Sequence, residues 1–122
     1  KSLLGPHGAV FAHRVFGPAE QAALGLPLAE EEGTARRTAH TVASAAADFA
    51  AKEAFLKAAG TGLREPFSLC EIEAVRLPGG APAYRFSGRS AKWVEARRLR
   101  AHLSLSHEDG MAMAYCILET ET

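Results

Sequence analysis

The run Asp48-Phe-Ala-Ala-Lys-Glu-Ala-Phe-Leu-Lys-Ala-Ala-Gly-Thr-Gly62 decides the fold. Ala, Leu, Lys and Glu are strong helix formers, neither Pro nor Gly interrupts between Thr34 and Ala59, and Gly60 supplies the left-handed residue that commonly ends a helix. One long helix is therefore predicted, with Thr34 as its cap. At about 100° per residue, Glu53 shares a stripe with Val42, Ala46, Phe49, Ala50, Leu56 and Lys57, which places a carboxylate on an apolar face. Burying an unpaired carboxylate is costly, so Glu53 calls for a cation from its own helix or for a bound metal. Lys57, one turn on, offers an ordinary pair worth roughly 0.3 kcal/mol. The ending favours more than that, because Gly60-Thr61-Gly62 exposes backbone donors one turn beyond Lys57, an arrangement suited to phosphate.

A chain of 122 residues with 48% hydrophobic side chains has the size of one domain with a modest core. Its 14 basic and 14 acidic residues cancel, which argues against a nucleic-acid protein driven by bulk electrostatics. A charged partner must instead be met by a local patch. Cys70 and Cys116 stand in no metal or redox spacing and are expected to be reduced packing residues. No apolar run approaches the roughly 20 residues of a membrane helix, and no signal-peptide pattern follows Lys1, so a soluble cytoplasmic protein is expected.

Upstream of the long helix, Ser2 to Phe16 reads as a broken amphipathic segment with a junction at Pro6 and Gly8. Gly17-Pro18-Ala-Glu-Gln-Ala-Ala-Leu24 reads as a short helix, since Pro18 suits its first position and Glu20 the positive end of its dipole. Gly25-Leu-Pro-Leu breaks that pattern, and Glu30-Glu-Glu-Gly-Thr34 is an acidic connection. Downstream, Phe67 to Leu77 reads as a strand with Cys70, Ile72 and Ala74 on one side and Glu71 and Glu73 on the other. Pro78-Gly-Gly80 turns it into a second strand, Ala83 to Ser87. Ser90 is expected to cap a helix bearing Ala91, Val94 and Arg98 on one face and ending near Arg100. His102 to Ser106 and Met111 to Leu118 alternate as two closing strands around Glu108-Asp-Gly110. This order predicts an α+β fold, a small antiparallel sheet packed with one long helix and shorter ones.

The stretch Phe49 to Gly62 resembles the central signature of the holo-[acyl-carrier-protein] synthases, the small bacterial 4'-phosphopantetheinyl transferases. His102-Leu-Ser-Leu-Ser-His107 resembles that family's closing strand, and Phe11 to Glu20 is similar to its approach to the second helix. The resemblance implies Mg2+-dependent transfer of 4'-phosphopantetheine from coenzyme A to a serine of apo-acyl carrier protein, with adenosine 3',5'-bisphosphate released. It also implies homotrimers with active sites shared at subunit interfaces. A non-catalytic relative that binds coenzyme A or a carrier protein is the alternative.

Moving a phosphopantetheine arm requires that a pyrophosphate be neutralised and polarised and a hydroxyl activated. By resemblance Glu53 holds the metal, and Lys57 meets a phosphate and assists proton transfer. Gly60, Thr61 and Gly62, with Ser104, Ser106 and His107, would contact coenzyme A. Alternation puts His102, Ser104 and Ser106 on one face of their strand and Leu103 and Leu105 on the other. His102 reads more simply as a packed or surface histidine, and His102, His107 and Glu53 have no zinc spacing. Arg97, Arg98 and Arg100 form the densest basic cluster, with Arg36 and Arg37 adding to the count; such runs are usually solvated faces. The resemblance singles out Arg14, near Lys1 and His13, as the residue that receives the acidic carrier protein.

Three departures stand out. Members of the family begin with a strand carrying Gly-x-Asp, whose aspartate is a second metal carboxylate, and no residue here matches it; the native polypeptide is expected to begin upstream and to supply that strand. Asp48 stands where many members have arginine, and Ala81 where many have lysine.

Overall fold

The computed structural model describes residues 14–25 and 35–121, with the side chains of the long helix described from Thr41 onward. The expectations for Lys1 to His13, with the junction at Pro6 and Gly8, for Leu26 to Thr34 and for the side chains of Arg36 and Arg37 lie outside the described residues.

Helix α1 spans Pro18–Leu24, with Gly17 as its cap and Pro18 in its first turn. Helix α2 spans Ala35–Ala59 and ends at Gly60, whose φ of 79° is left-handed as the sequence required. A single 3-10 turn, Leu69–Glu71, leads into β1, Ile72–Arg76, which pairs antiparallel with β2, Pro82–Phe86. Helix α3 covers Gly88–Ala96, and the long hairpin β3, Leu99–Glu108, with β4, Met111–Thr120, closes the fold. Asp109 and Gly110 both have positive φ, the requirement of a tight two-residue hairpin turn that an Asp-Gly pair meets with little strain. The two hairpins form separate two-stranded ladders, with β2 lying beside β3 and β4 packed on α2.

Phe55 of α2 sits at the centre of the larger core cluster, which also holds Leu56, Phe67, Ile72 and Val94. Its ring lies 4.9 Å from that of Phe86, 5.5 Å from Phe67 and 5.8 Å from Tyr84, tilted or edge-on in each case, the preferred geometry for aromatic pairs. A second cluster, Val15, Phe16, Leu24 and Ala45, fastens α1 to the first half of α2.

Four details depart from the expectation. Helix α3 ends at Ala96, four residues before Arg100, because Arg98 turns left-handed (φ 54°) to start β3. Ser90 is not its cap but a buried residue of its first turn, whose backbone N–H and hydroxyl both donate to Glu71 Oε1. Gly88 is needed there, since a Cβ would collide with the Glu71 carboxylate. The strand expected from Phe67 begins only at Ile72, and Glu73 is not on a solvent face: it is 2% exposed, and its carboxylate accepts from the backbone N–H groups of Ala19 and Glu20 at the start of α1. Gly17 leaves room for that carboxylate, which a Cβ would strike.

Candidate active site

Along α2 the side chains divide differently from the stripe read in the sequence. Glu53 and Lys57 are exposed, as is Ala46, and Val42 is 47% exposed, whereas Ala47, Ala51, Lys52 and Phe55 are fully buried. The charge carried on the apolar face is therefore Lys52, and Glu53 faces outward. Lys52 is tolerable there because its three donors all find acceptors: Glu20 Oε1, the Leu69 carbonyl at 3.0 Å and the Ile72 carbonyl at 2.7 Å. Glu20 also accepts from Gly17 N through Oε1 and from Ala74 N at 2.7 Å through Oε2. Burial raises the Glu20 pKa and lowers that of Lys52, and their mutual attraction opposes both shifts. This knot ties α1, α2 and β1 together.

Asp48, on the same buried side, has no such arrangement. Burial pushes its carboxyl up to about 7, helped by the like charge of Glu20 and opposed by Lys52 and Arg76. Its folded pKa lies above the ordinary aspartate value of 3.8, so the folded state holds a proton that the unfolded state has lost. Stability is therefore expected to fall as pH rises from about 4 to 7 and to stay low above that. Asp48→Asn should remove most of this slope, raising stability at pH 8 by about 2–4 kcal/mol and changing it little at pH 4. Denaturant melts at the two pH values check it; an unchanged slope would mean that Asp48 stays ionised at neutral pH.

On the outer face, Glu53 and Lys57 line a groove of about 490 Å³ between α2 and β4, together with Ala54, Ala58, Tyr115 and Cys116. Neither carries an ion pair or a hydrogen bond to another side chain among the described residues. The expected surface pair between them is absent, and both charges are left for something outside the chain. Small residues at Ala50, Ala54 and Ala58, one per turn, keep the groove open beside them. One exposed carboxylate with an open side suits a hard cation such as Mg2+, which takes one or two protein carboxylates and completes its shell with water and phosphate oxygens. No cluster of three or more His, Cys, Asp or Glu suited to a metal occurs among the described residues.

The phosphate nest expected after Lys57 does not form. Gly60 N donates to the carbonyls of Leu56 and Lys57, Thr61 N donates to Leu56, and the Thr61 hydroxyl donates to Gly62 O. The helix end uses these donors to satisfy its own last carbonyls, leaving of the three only the Gly62 N–H. Ser104 and Ser106 stand exposed on β3, opposite Tyr115 and Met113, and His107 opposite Ala112 at the hairpin tip; none of the three lines the groove of Glu53 and Lys57. His102 is a surface histidine paired with Glu119 at 2.8 Å, which holds that carboxylate below its usual range. Arg14 is exposed just ahead of α1. Cys70 and Cys116 are free thiols, and burial pushes that of Cys116 up. Arg97 lies over the Trp93 ring, 4.1 Å from its centroid, and Arg100 pairs with Glu121. Tyr115 and Cys116 are groove residues that the alternation of β4 placed on opposite faces without marking either as part of a site. No helix of the described residues is long and apolar enough to cross a membrane.

The family model of the 4'-phosphopantetheinyl transferase superfamily matches residues 1–116. The holo-[acyl-carrier-protein] synthase of Bordetella pertussis is 40% identical over 117 residues, 95% of this chain and 72% of that protein. Among solved structures, the holo-[acyl-carrier-protein] synthase of Neisseria meningitidis superposes with a TM-score of 0.71 at 29% identity, over 93% of this chain and 82% of that one. A coenzyme A complex of the Chronobacterium ammoniagenes synthase gives 0.72 at 27% identity, over 98% and 87%.

Proposed function

The chain belongs to the 4'-phosphopantetheinyl transferase superfamily, among the holo-[acyl-carrier-protein] synthases, and we propose that it carries phosphopantetheine from coenzyme A to a carrier-protein serine by a Mg2+-dependent route through the Glu53–Lys57 groove. The observation that carries the proposal is the pair itself: a carboxylate and an ammonium one turn apart, both exposed and unpartnered, on a groove bordered by small residues. In the transfer, the serine oxygen attacks the phosphorus bonded to the pantetheine arm, and the bond to the bridging pyrophosphate oxygen breaks, releasing adenosine 3',5'-bisphosphate. Lys57 places its ammonium on phosphate oxygens and offsets their charge as it shifts toward the leaving group. Glu53 would hold Mg2+, which when bound supplies the rest of that neutralisation. The serine proton goes to solvent or to a phosphate oxygen within the groove.

Ser104, Ser106 and His107 lie outside the groove within one chain, so their assignment to coenzyme A is coherent if a second copy brings its β3 to the first copy's α2. The outer face of β4 supports such assembly, because Met111, Tyr115 and Ile117 are 64%, 66% and 65% exposed and alternate with residues packed inward. We take the assembly to be a homotrimer acting in the cytoplasm. Ile117→Asp should therefore reduce the particle to a monomer by light scattering without lowering the melting temperature of the isolated chain. A wild-type particle of monomer mass at micromolar concentration would remove the trimer from the proposal.

Arg14 faces solvent beside α1 and suits an acidic carrier protein. Arg14→Glu is expected to raise KM for carrier protein about tenfold at low salt, with KM for coenzyme A nearly unchanged, since a rim charge acts mainly on encounter. The difference should shrink in high salt. Equal losses for both substrates would place Arg14 in the coenzyme site.

A further inference from the structure

A second cavity, of about 510 Å³, lies between α1, α2 and the β1–β2 hairpin and shares no lining residue with the groove of Glu53 and Lys57. Asp48 lines it, 7% exposed, and among the described residues its carboxylate accepts no hydrogen bond and joins no ion pair. The other buried carboxylates of this region are satisfied, Glu20 by Lys52 and two backbone N–H groups and Glu73 by two more. Asp48 is the exception. Lys52, the cation nearest in sequence on its own helix, has all three donors committed elsewhere. Glu20 from α1 and Glu73 from β1 add only like charge, and the remaining charged neighbours are Arg76 on β1 and Arg85 on β2.

Arg76 and Arg85 are exposed and line the same cavity, and neither is engaged in an ion pair among the described residues. The rest of the lining includes the hydroxyl-bearing Ser44 and the apolar Ala23, Leu24, Ala74 and Val75. An ammonium alone would meet two guanidinium groups in this lining, and an anion alone would meet a carboxylate. A molecule carrying both charges, separated by methylenes, meets a complement for each charge and apolar surface for its methylenes. We propose that this cavity binds a small zwitterion, an amino carboxylate whose ammonium pairs with Asp48 and whose carboxylate meets Arg76 and Arg85. The proposal stands independently of the transferase reading, because it concerns a different cavity and is tested by binding alone.

The full chain is titrated, with backbone amide NMR as the readout, against the ω-amino acids from glycine to 6-aminohexanoate. Butylamine and butyrate serve as the two half-ligands. One chain length is expected to bind best, with saturable shifts centred on Ala23, Ala74 and Val75. Each half-ligand should bind at least about tenfold more weakly. Asp48→Asn should weaken the best zwitterion by about tenfold, equivalent to about 1.4 kcal/mol, and the surface change Arg85→Gln should weaken it in the same direction. Absence of a saturable shift for every chain length, equal binding by butyrate or butylamine, or unaltered binding to both variants would each overturn the proposal.

Discussion

Glu53→Gln is expected to leave the fold and melting temperature unchanged while reducing Mg2+-dependent transfer by about 100-fold or more, the scale of losing one electrostatic contact to a phosphoryl transition state. Gln has nearly the helix propensity of Glu, and Glu53 is exposed and has no partner in the chain, so nothing in the folded state depends on its charge. Its carboxylate is thus free to take a ligand at no cost to the fold. The check is a transfer assay across a Mg2+ titration, beside a thermal melt of the same preparation. A near-normal rate with an unchanged Mg2+ dependence, at low as well as saturating Mg2+, would remove Glu53 from the metal role. Recovery of the rate by raising Mg2+ would instead confine the loss to metal affinity.

Helix existence, strand order and the two hairpins were legible because each rests on a local signal: the uninterrupted run before Gly60, the turn residues Pro78 to Gly80, and the Asp109-Gly110 pair between alternating strands. The faces of α2 were less legible. Counting hydrophobic residues around Glu53 pointed to the wrong stripe because Ala is common on every side of this helix and carries little directional information. The stripe Ala45, Asp48, Lys52, Phe55 and Ala59 has helical spacing too, but two of its five members are charged, and a pattern of apolar residues passes over them. What buries Asp48 and Lys52 comes from α1 and β1, distant in sequence. The same limit applies to Glu73, which alternation assigned to solvent and which the start of α1 takes as its cap. At Gly60-Thr61-Gly62 the local signal was ambiguous in kind, since the residue types that make a phosphate nest also make a helix C-terminus that satisfies its own carbonyls.

Lys52→Met is expected to destabilise the chain by about 3–5 kcal/mol, the scale of breaking a buried ion pair by removing one partner. The loss follows from what remains. Glu20 would keep a buried carboxylate with two backbone donors and no cation, and the carbonyls of Leu69 and Ile72 would lose their donor where the 3-10 turn enters β1. Combining Lys52→Met with Glu20→Gln should recover a large part of the loss, because a neutral amide can still accept from Gly17 or Ala74 and no longer buries an unpaired charge. A coupling of at least about 1.5 kcal/mol between the two changes, from urea melts of the four proteins, is the expected result. Additive losses would mean that the two side chains act on separate parts of the fold. The consequence reaches the groove because Lys52 and Glu53 are adjacent on one rigid helix, one pointing into the knot and the other out into the groove. Whatever fixes Lys52 against β1 and α1 also sets the rotation of α2, and with it the direction in which Glu53 and Lys57 face. The double variant, if folded, should accordingly bind coenzyme A and still turn over more slowly than the wild-type chain.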